Sequence, residues 1–187
     1  KVLNNVSLKD ISTTGLASLK TDLLVLVINN NTKTNNSFKD LNKISKNYIS
    51  KTIQTHLKDA GSSVLIPKLN NINASNILLV KGKDPNQPTH KWLSMYQSIA
   101  HKGNQLKAKD ISVMPGNVTP KGKNEMWLIE MVTKTIESNV YVFSETVNKT
   151  AKKPSVKKLN ILVSGLSKSE LNNAKQAAKK GYAIGEG

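Results

Sequence analysis

Residues 22–28 read Asp-Leu-Leu-Val-Leu-Val-Ile, an unbroken apolar run of strand length. A strand with one wet face alternates apolar and polar residues; a run without alternation needs cover on both faces, as in a parallel sheet. A second such run stands at 76–80 (Asn-Ile-Leu-Leu-Val), and further strands are read at 110–114 (Asp-Ile-Ser-Val-Met), closed by Pro115-Gly116, and, buried, at 158–164 (Lys-Leu-Asn-Ile-Leu-Val-Ser). A shorter strand is expected at 63–66, stopped by Pro67.

Helical periodicity fills the gaps. Phe38, Leu41, Ile44, Tyr48, Ile49, Ile53 and Leu57 predict one helix from Ser37 that ends before Gly61. Thr89 is placed as the cap of a second, with Trp92, Met95, Tyr96, Ile99, Ala100 and Leu106 inward. A third starts at Asn124, carries Leu128, Ile129, Val132 and Ile136, and is extended through Tyr141. Residues 144–156 read as irregular and Lys-rich. Ser167-Lys168-Ser169-Glu170 forms a capping box for a last helix bearing Leu171, Ala174, Ala178 and Tyr182. The order β-α-β-β-α-β-α-loop-β-α predicts an α/β fold with helices on both faces of a mostly parallel sheet. The adjacent pair 63–66 and 76–80 predicts one antiparallel member, hence a mixed sheet. The expected body is a single domain over 1–187, with its core about 20–166 and a helix at 167–185.

The formal charge is +16, all 28 basic residues being Lys. This charge admits two readings. Lys without Arg gives point charges rather than bidentate forks, which suits a solvated basic surface. The cluster Lys149, Lys152, Lys153, Lys157 and Lys158 instead motivates anion or nucleic-acid binding. There is no cysteine, which fits a reducing compartment and excludes disulfides and thiolate chemistry. No run of about 18 apolar residues occurs, so no membrane helix is expected. The start lacks a signal-peptide pattern, and Lys1 in place of Met implies a trimmed amino terminus.

The chain is poor in reactive constellations. Asp10, Asp22, Asp40, Asp59, Asp84 and Asp110 stand singly and read as structural. His56, His90 and His101 have no partner at ligand spacing. There is no Gly-x-Ser-x-Gly elbow and no Gly-x4-Gly-Lys-Ser/Thr loop. Gly82 follows a strand but reads as a plain turn; Gly181, Gly185 and Gly187 follow none. Trp92 and Tyr96 sit at helical spacing and read as core; with Trp127, Tyr141 and Phe143 they form no stacking strand of the kind single-strand binders use. No catalytic, cofactor-binding or metal-binding residue is assigned to this chain.

The ordered motifs resemble the N-terminal domain of the M17 leucine aminopeptidases, the cytosol aminopeptidases. Asp22-Leu23-Leu24-Val25-Leu26-Val27 resembles the family's first core strand. Ile77-Leu78-Leu79-Val80-Lys81-Gly82-Lys83 resembles its "LLVGLGK" turn, with Lys81 in place of a small or apolar residue. Tyr141-Val142-Phe143 resembles part of "EGALLGSYRFDRYK", but Ser144-Glu145-Thr146-Val147 departs from the family's next residues. Leu159 to Val163, and Ala174 through Ala183-Ile184-Gly185-Glu186-Gly187, resemble the last strand and the helix entering the catalytic domain.

The resemblance implies a macro-domain-like, three-layer α/β/α unit without catalytic residues. It implies a cytoplasmic parent, a metal-dependent leucyl aminopeptidase that removes N-terminal residues from peptides and assembles as a homo-hexamer. Its two divalent metals, zinc or manganese, would be held by a C-terminal catalytic domain carrying the "NTDAEGRL" signature, absent here. The chain end then reads as a domain boundary, and the fragment alone as inactive. The alternative is a nucleic-acid-binding or ADP-ribose-type ligand-binding module.

Overall fold

In the computed structural model, residues 3–57, 62–146 and 154–185 are described. Six strands form one sheet: β1 (Asn5–Asp10), β2 (Leu23–Ile28), β3 (Ser63–Pro67), β4 (Asn76–Lys81), β5 (Asp110–Met114) and β6 (Lys158–Val163), in the order β1-β6-β5-β2-β4-β3. All neighbours pair in parallel except β3 and β4, which are antiparallel. The mixed, mostly parallel sheet is as the sequence predicts.

Each apolar run is split between two cores because successive side chains point to opposite faces. Leu23, Val25 and Val27 face one side with Leu78, Val80, Ile111, Val113, Leu159 and Ile161. Three helices cover that side: α3 (Thr89–Gln105), α4 (Glu125–Thr146) and α5 (Lys168–Gly185). Leu24 and Leu26 face the other with Ile77, Leu79, Met114 and Leu162. There α1 (Asn36–Ile44) and α2 (Tyr48–His56) bring Phe38, Leu41 and Ile49. Two separate cores on one sheet make three layers. The helices α4 and α5 lie close at Gly181, where a Cβ would come within 2.4 Å of the Glu130 carbonyl oxygen.

The capping box is present. The Glu170 N–H donates to Ser167 Oγ at 3.1 Å, and the Ser167 N–H donates to Glu170 Oε1 at 3.0 Å. The Ser167 N–H, and after it the Ser167 hydroxyl, hold the Glu170 carboxyl below its ordinary range. Asn124 caps α4 by accepting from the Trp127 N–H at 2.9 Å.

Five expectations need correction. Residues 144–146, expected to be irregular, complete α4, which runs to Thr146. The single helix from Ser37 is two helices, broken where Lys46 and Asn47 take φ of 56° and 65°. Asn favours this left-handed turn, and Asn42 braces it by donating to Asn47 Oδ1 and accepting from the Ser50 N–H. The break leaves Tyr48 and Ile44, expected inward, 48% and 39% exposed. Pro88 rather than Thr89 is the N-cap of α3, and it offers no side-chain bond. Pro67 ends β3 from within, opposite Asn76, which an edge strand tolerates. The sequence pattern does not predict the strand β1 (Asn5–Asp10). It pairs only with β6, and its pattern Val6-Ser7-Leu8-Lys9 alternates weakly around a half-exposed edge.

Candidate functional site

The connection leaving β2 runs to α1 on one face, and the connection leaving β5 runs to α4 on the other. Adjacent parallel strands whose connections diverge open a crevice at their carboxyl ends, the usual ligand position in such sheets. A cleft of about 250 Å³ lies there. Val27, Met114, Leu162 and Val163 give it an apolar floor, and the loops after β2, β5 and β6 give it polar walls.

Local hydrogen bonds shape those walls. The segment 29–35 coils into a 3₁₀ turn in which Thr32 Oγ1 accepts from the Asn29 N–H and Asn29 Oδ1 accepts from the Asn31 N–H. Asn35 accepts from the Phe38 N–H as cap of α1 and donates through Nδ2 to Ser164 Oγ at 3.1 Å, tying the β2 and β6 loops together. Gly116 has φ of +77°, and a Cβ there would lie 3.1 Å from Asn29 Nδ2, so a larger residue would crowd the wall. Among the described residues, Glu125, in the first turn of α4, is the one ionisable residue lining the cleft. Burial, and then the nearby Glu170 carboxylate, push its carboxyl above the usual range.

The opposite end of the same strands carries a different set of polar groups. Asp110 Oδ2 accepts from Thr21 Oγ1 at 2.5 Å, and Oδ1 accepts from the Asp22 N–H at 2.8 Å. Ser112 donates to Thr21 Oγ1, Asn160 donates to Ser112 Oγ at 3.0 Å, and Asp22 accepts from the Lys109 N–H. Asn160 Oδ1 alone in this group is buried without a donor among the described residues.

The remaining residues singled out in the sequence are dispersed. Asp10 accepts from the Ser12 hydroxyl and N–H, which lower its carboxyl from the ordinary range. Asp84 accepts from the Asn86 N–H, and Asp40 lies on the exposed side of α1. His56 ends α2, while His90 and His101 lie on α3. Among the described residues no group of three or more His, Cys, Asp or Glu could hold a metal ion. Trp92 and Tyr96 are core, as expected; burial raises the Tyr96 hydroxyl well above its ordinary value. Gly82 serves packing, since a Cβ there would lie 3.0 Å from the Ile28 carbonyl oxygen. Asp59, Lys149, Lys152, Lys153 and Gly187 lie outside the described residues, as do the side chains of Tyr141 and Phe143.

Sequence reasoning passed over the cleft residues Asn29, Asn31, Asn117 and Glu125. The Asn- and Thr-rich segment directly after the first buried strand was the available signal.

The chain is similar to proteins of one family and to one wider fold. Residues 24–152 match the model of the cytosol aminopeptidase family, N-terminal domain. A probable cytosol aminopeptidase of Nitrosomonas eutropha is 24% identical over 167 residues, covering 87% of this chain and 33% of that protein. A solved tomato leucine aminopeptidase mutant superposes with TM-score 0.61 at 20% identity, over 95% of this chain and 35% of that one. A Trypanosoma brucei macrodomain in complex with ADP-ribose superposes with TM-score 0.61 at 12% identity, over 94% of this chain and 69% of that one. The three-layer α/β/α architecture is thus macro-like, and the chain spans about a third of the length of the curated relatives it matches. With two thirds of its length matched by the family model, the chain belongs to the cytosol aminopeptidase family and represents its N-terminal domain.

Proposed function

We propose that the chain is the non-catalytic N-terminal domain of a cytoplasmic leucyl aminopeptidase, which removes N-terminal residues from peptides. The observation that carries this is the family match over residues 24–152, on a chain covering a third of its relatives. The described residues do not fit a two-metal site, because they bring no three ligand-type side chains together. By resemblance to the family, a zinc or manganese pair is assigned to a separate, C-terminal domain of the parent. The role left for this domain is architectural: supporting a homo-hexamer and restricting access to the peptidase sites. No described helix is long and apolar enough to cross a membrane.

The test is turnover. The purified chain, supplied with zinc or manganese, should release no chromophore from a chromogenic leucyl substrate. Metal-dependent turnover intrinsic to the chain would refute the assignment.

A second reading has one observation behind it: the cleft occupies the switch point of a macro-like sheet, and similar macrodomains bind ADP or ADP-ribose. The lining opposes it. A diphosphate needs cations or convergent N–H donors, and among the described residues this cleft has a carboxylate and no lysine. Calorimetry with ADP-ribose should show no binding heat. The nucleic-acid variant rests on charge alone, and a gel shift with duplex DNA at low salt is its check.

A further inference from the structure

The strand β3 ends the sheet, and no described strand pairs with its outer side. The Lys81 N–H donates to the Ser62 carbonyl at 2.9 Å, which fixes the alternation of the antiparallel β3–β4 ladder. Val64 and Ile66 therefore turn their backbone N–H and C=O groups toward β4. Ser63 and Leu65 turn theirs outward, where no backbone group receives them among the described residues. The two faces of β3 differ as well. Ile66, in the core beneath α1 and α2, is 2% exposed, whereas Leu65, opposite Leu78 on the α3 side, is 36% exposed. Between α3 and this sheet edge lies a groove of about 290 Å³. Leu78, Val80, Met95 and Ile99 form its floor, and Lys83, Lys91 and Lys102 stand around it. Lys91, Ser94, Ser98 and Lys102 recur at helical spacing, so they make one continuous side of α3 along the groove. Among the described residues none of the three lysines is within ion-pair distance of a carboxylate. Asp84, next in sequence to Lys83, accepts from the Asn86 N–H instead.

We propose that the β3 edge and this groove dock an extended acidic segment of a partner protein, which adds a further strand to the sheet. The outward N–H and C=O groups of Ser63 and Leu65 pair with the backbone of that segment. One apolar side chain of the segment covers Leu65. Carboxylates two residues to either side of it project to the same face, because strand side chains alternate, and so meet the lysines. Each observation selects a different property: the open edge an extended backbone, Leu65 an apolar residue, the lysines an acidic one. Pro67 has no N–H to offer, which confines the pairing to a short stretch around residues 63–65. A second copy of this chain satisfies the edge and Leu65 but not the lysines. Pairing β3 with β3 would bring two sets of lysines together on chains that each carry a formal charge of +16. Charge complementarity therefore favours a different, acidic chain.

The experiment is a titration of the full 187-residue chain with acetyl-Glu-Thr-Val-Thr-Glu-amide, whose Val and two Glu share one face when extended. It is read by backbone amide shifts at neutral pH and low salt. Saturable binding is expected, with shifts confined to residues 62–67 and to residues 91–102 of α3. The same peptide with Lys in place of both Glu should not saturate. The double variant Lys91→Gln, Lys102→Gln should weaken the Glu peptide about fivefold, as loss of two exposed charge pairs does. The strand mode is tested on the ligand, which leaves the fold untouched. In a paired strand, alternate amides face the neighbour. N-methylation of the two Thr, or of the Val, should weaken binding about tenfold in one case and leave it nearly unchanged in the other. Equal effects of the two N-methylations would overturn the proposal, as would unchanged affinity in the double variant. So would equal affinity for the Lys peptide, shifts elsewhere, or no saturable binding. Dimerisation of the chain through β3 in sedimentation would also overturn it, assigning the edge to a second copy.

Discussion

The strand β5 begins and ends beside a carboxylate, and the two carboxylates are treated in opposite ways. At its amino end, Asp110 has both oxygens occupied by the Thr21 hydroxyl and the Asp22 N–H, and these tie β5 to the chain entering β2. Beyond its carboxyl end, Glu125 stands half-buried with no partner among the described residues and with its carboxyl raised from the ordinary range. The chemistry of the groups is the same; the difference is whether the protein itself fills their lone pairs. A carboxylate whose acceptors are taken fixes the fold. One whose acceptors are left open in a cleft is available to a ligand.

The contrast is broken most strongly at Asp110. Asp110→Ala strands the Thr21 hydroxyl and the Asp22 N–H, and it weakens the Ser112 and Asn160 pairing behind them. Loss of charge-assisted bonds at a part-buried site costs about 3 kcal/mol. For a domain of this size that is a fall in melting temperature of roughly 10 °C. Thermal denaturation followed by circular dichroism measures it. A variant melting with the wild type would show that the amino-end network is as dispensable to the fold as the cleft.

Legibility divides along the same line. The buried strands could be read because their apolar runs admit one placement only, between two layers of helices. The capping box could be read because its bonds join residues three apart in sequence. Neither carboxylate's role was legible. Asp110 meets Thr21 and Asp22 across 89 and 88 positions, a proximity that exists only once β5 lies beside β2. Glu125 reads in sequence as an ordinary acidic residue in the first turn of a helix. Its isolation is a property of three loops brought together from residues 29–35, 115–117 and 164. The helix break at Lys46 and Asn47 was hidden for a related reason: the apolar spacing continues through it, while the bracing Asn42 bonds depend on a turn that periodicity does not report.

Ser167→Ala has an intermediate effect. The hydroxyl accepts from the Glu170 N–H at the start of α5, and loss of such a cap costs about 1 kcal/mol. Its pH dependence has a definite sign. Glu170 has its folded-state carboxyl lowered from 4.5, so its contribution is full above that value and is lost as pH falls through the folded-state value. The Ser167 N–H, the larger cause, survives in Ser167→Ala, so the stability gap between wild type and variant, from urea denaturation, carries only the hydroxyl's share and should be constant near neutrality and narrow slightly in acid below 4.5. A gap that widens in acid would mean that Glu170 is not held by this cap.

The smallest effect on stability belongs to Glu125→Gln, and there it separates the two ends most sharply. The substitution removes a half-buried, uncompensated charge, which favours the fold. It also removes a negative charge from the first turn of α4, which disfavours it. The two oppose, so the change at neutral pH should stay within about 0.5 kcal/mol. The pH trend is opposite to that of Glu170. A carboxyl raised in the folded state penalises the fold above its folded-state value, and the penalty is relieved as pH falls from there toward 4.5. Glu170 is the titratable neighbour that also presses on it, and it stays ionised through this window because its own value is lowered. Wild type should therefore gain on Glu125→Gln as pH is lowered from neutrality toward 4.5, measured by paired urea curves. A loss of about 2 kcal/mol or more at neutral pH would instead place Glu125 with Asp110, as a carboxylate whose partners lie within the protein.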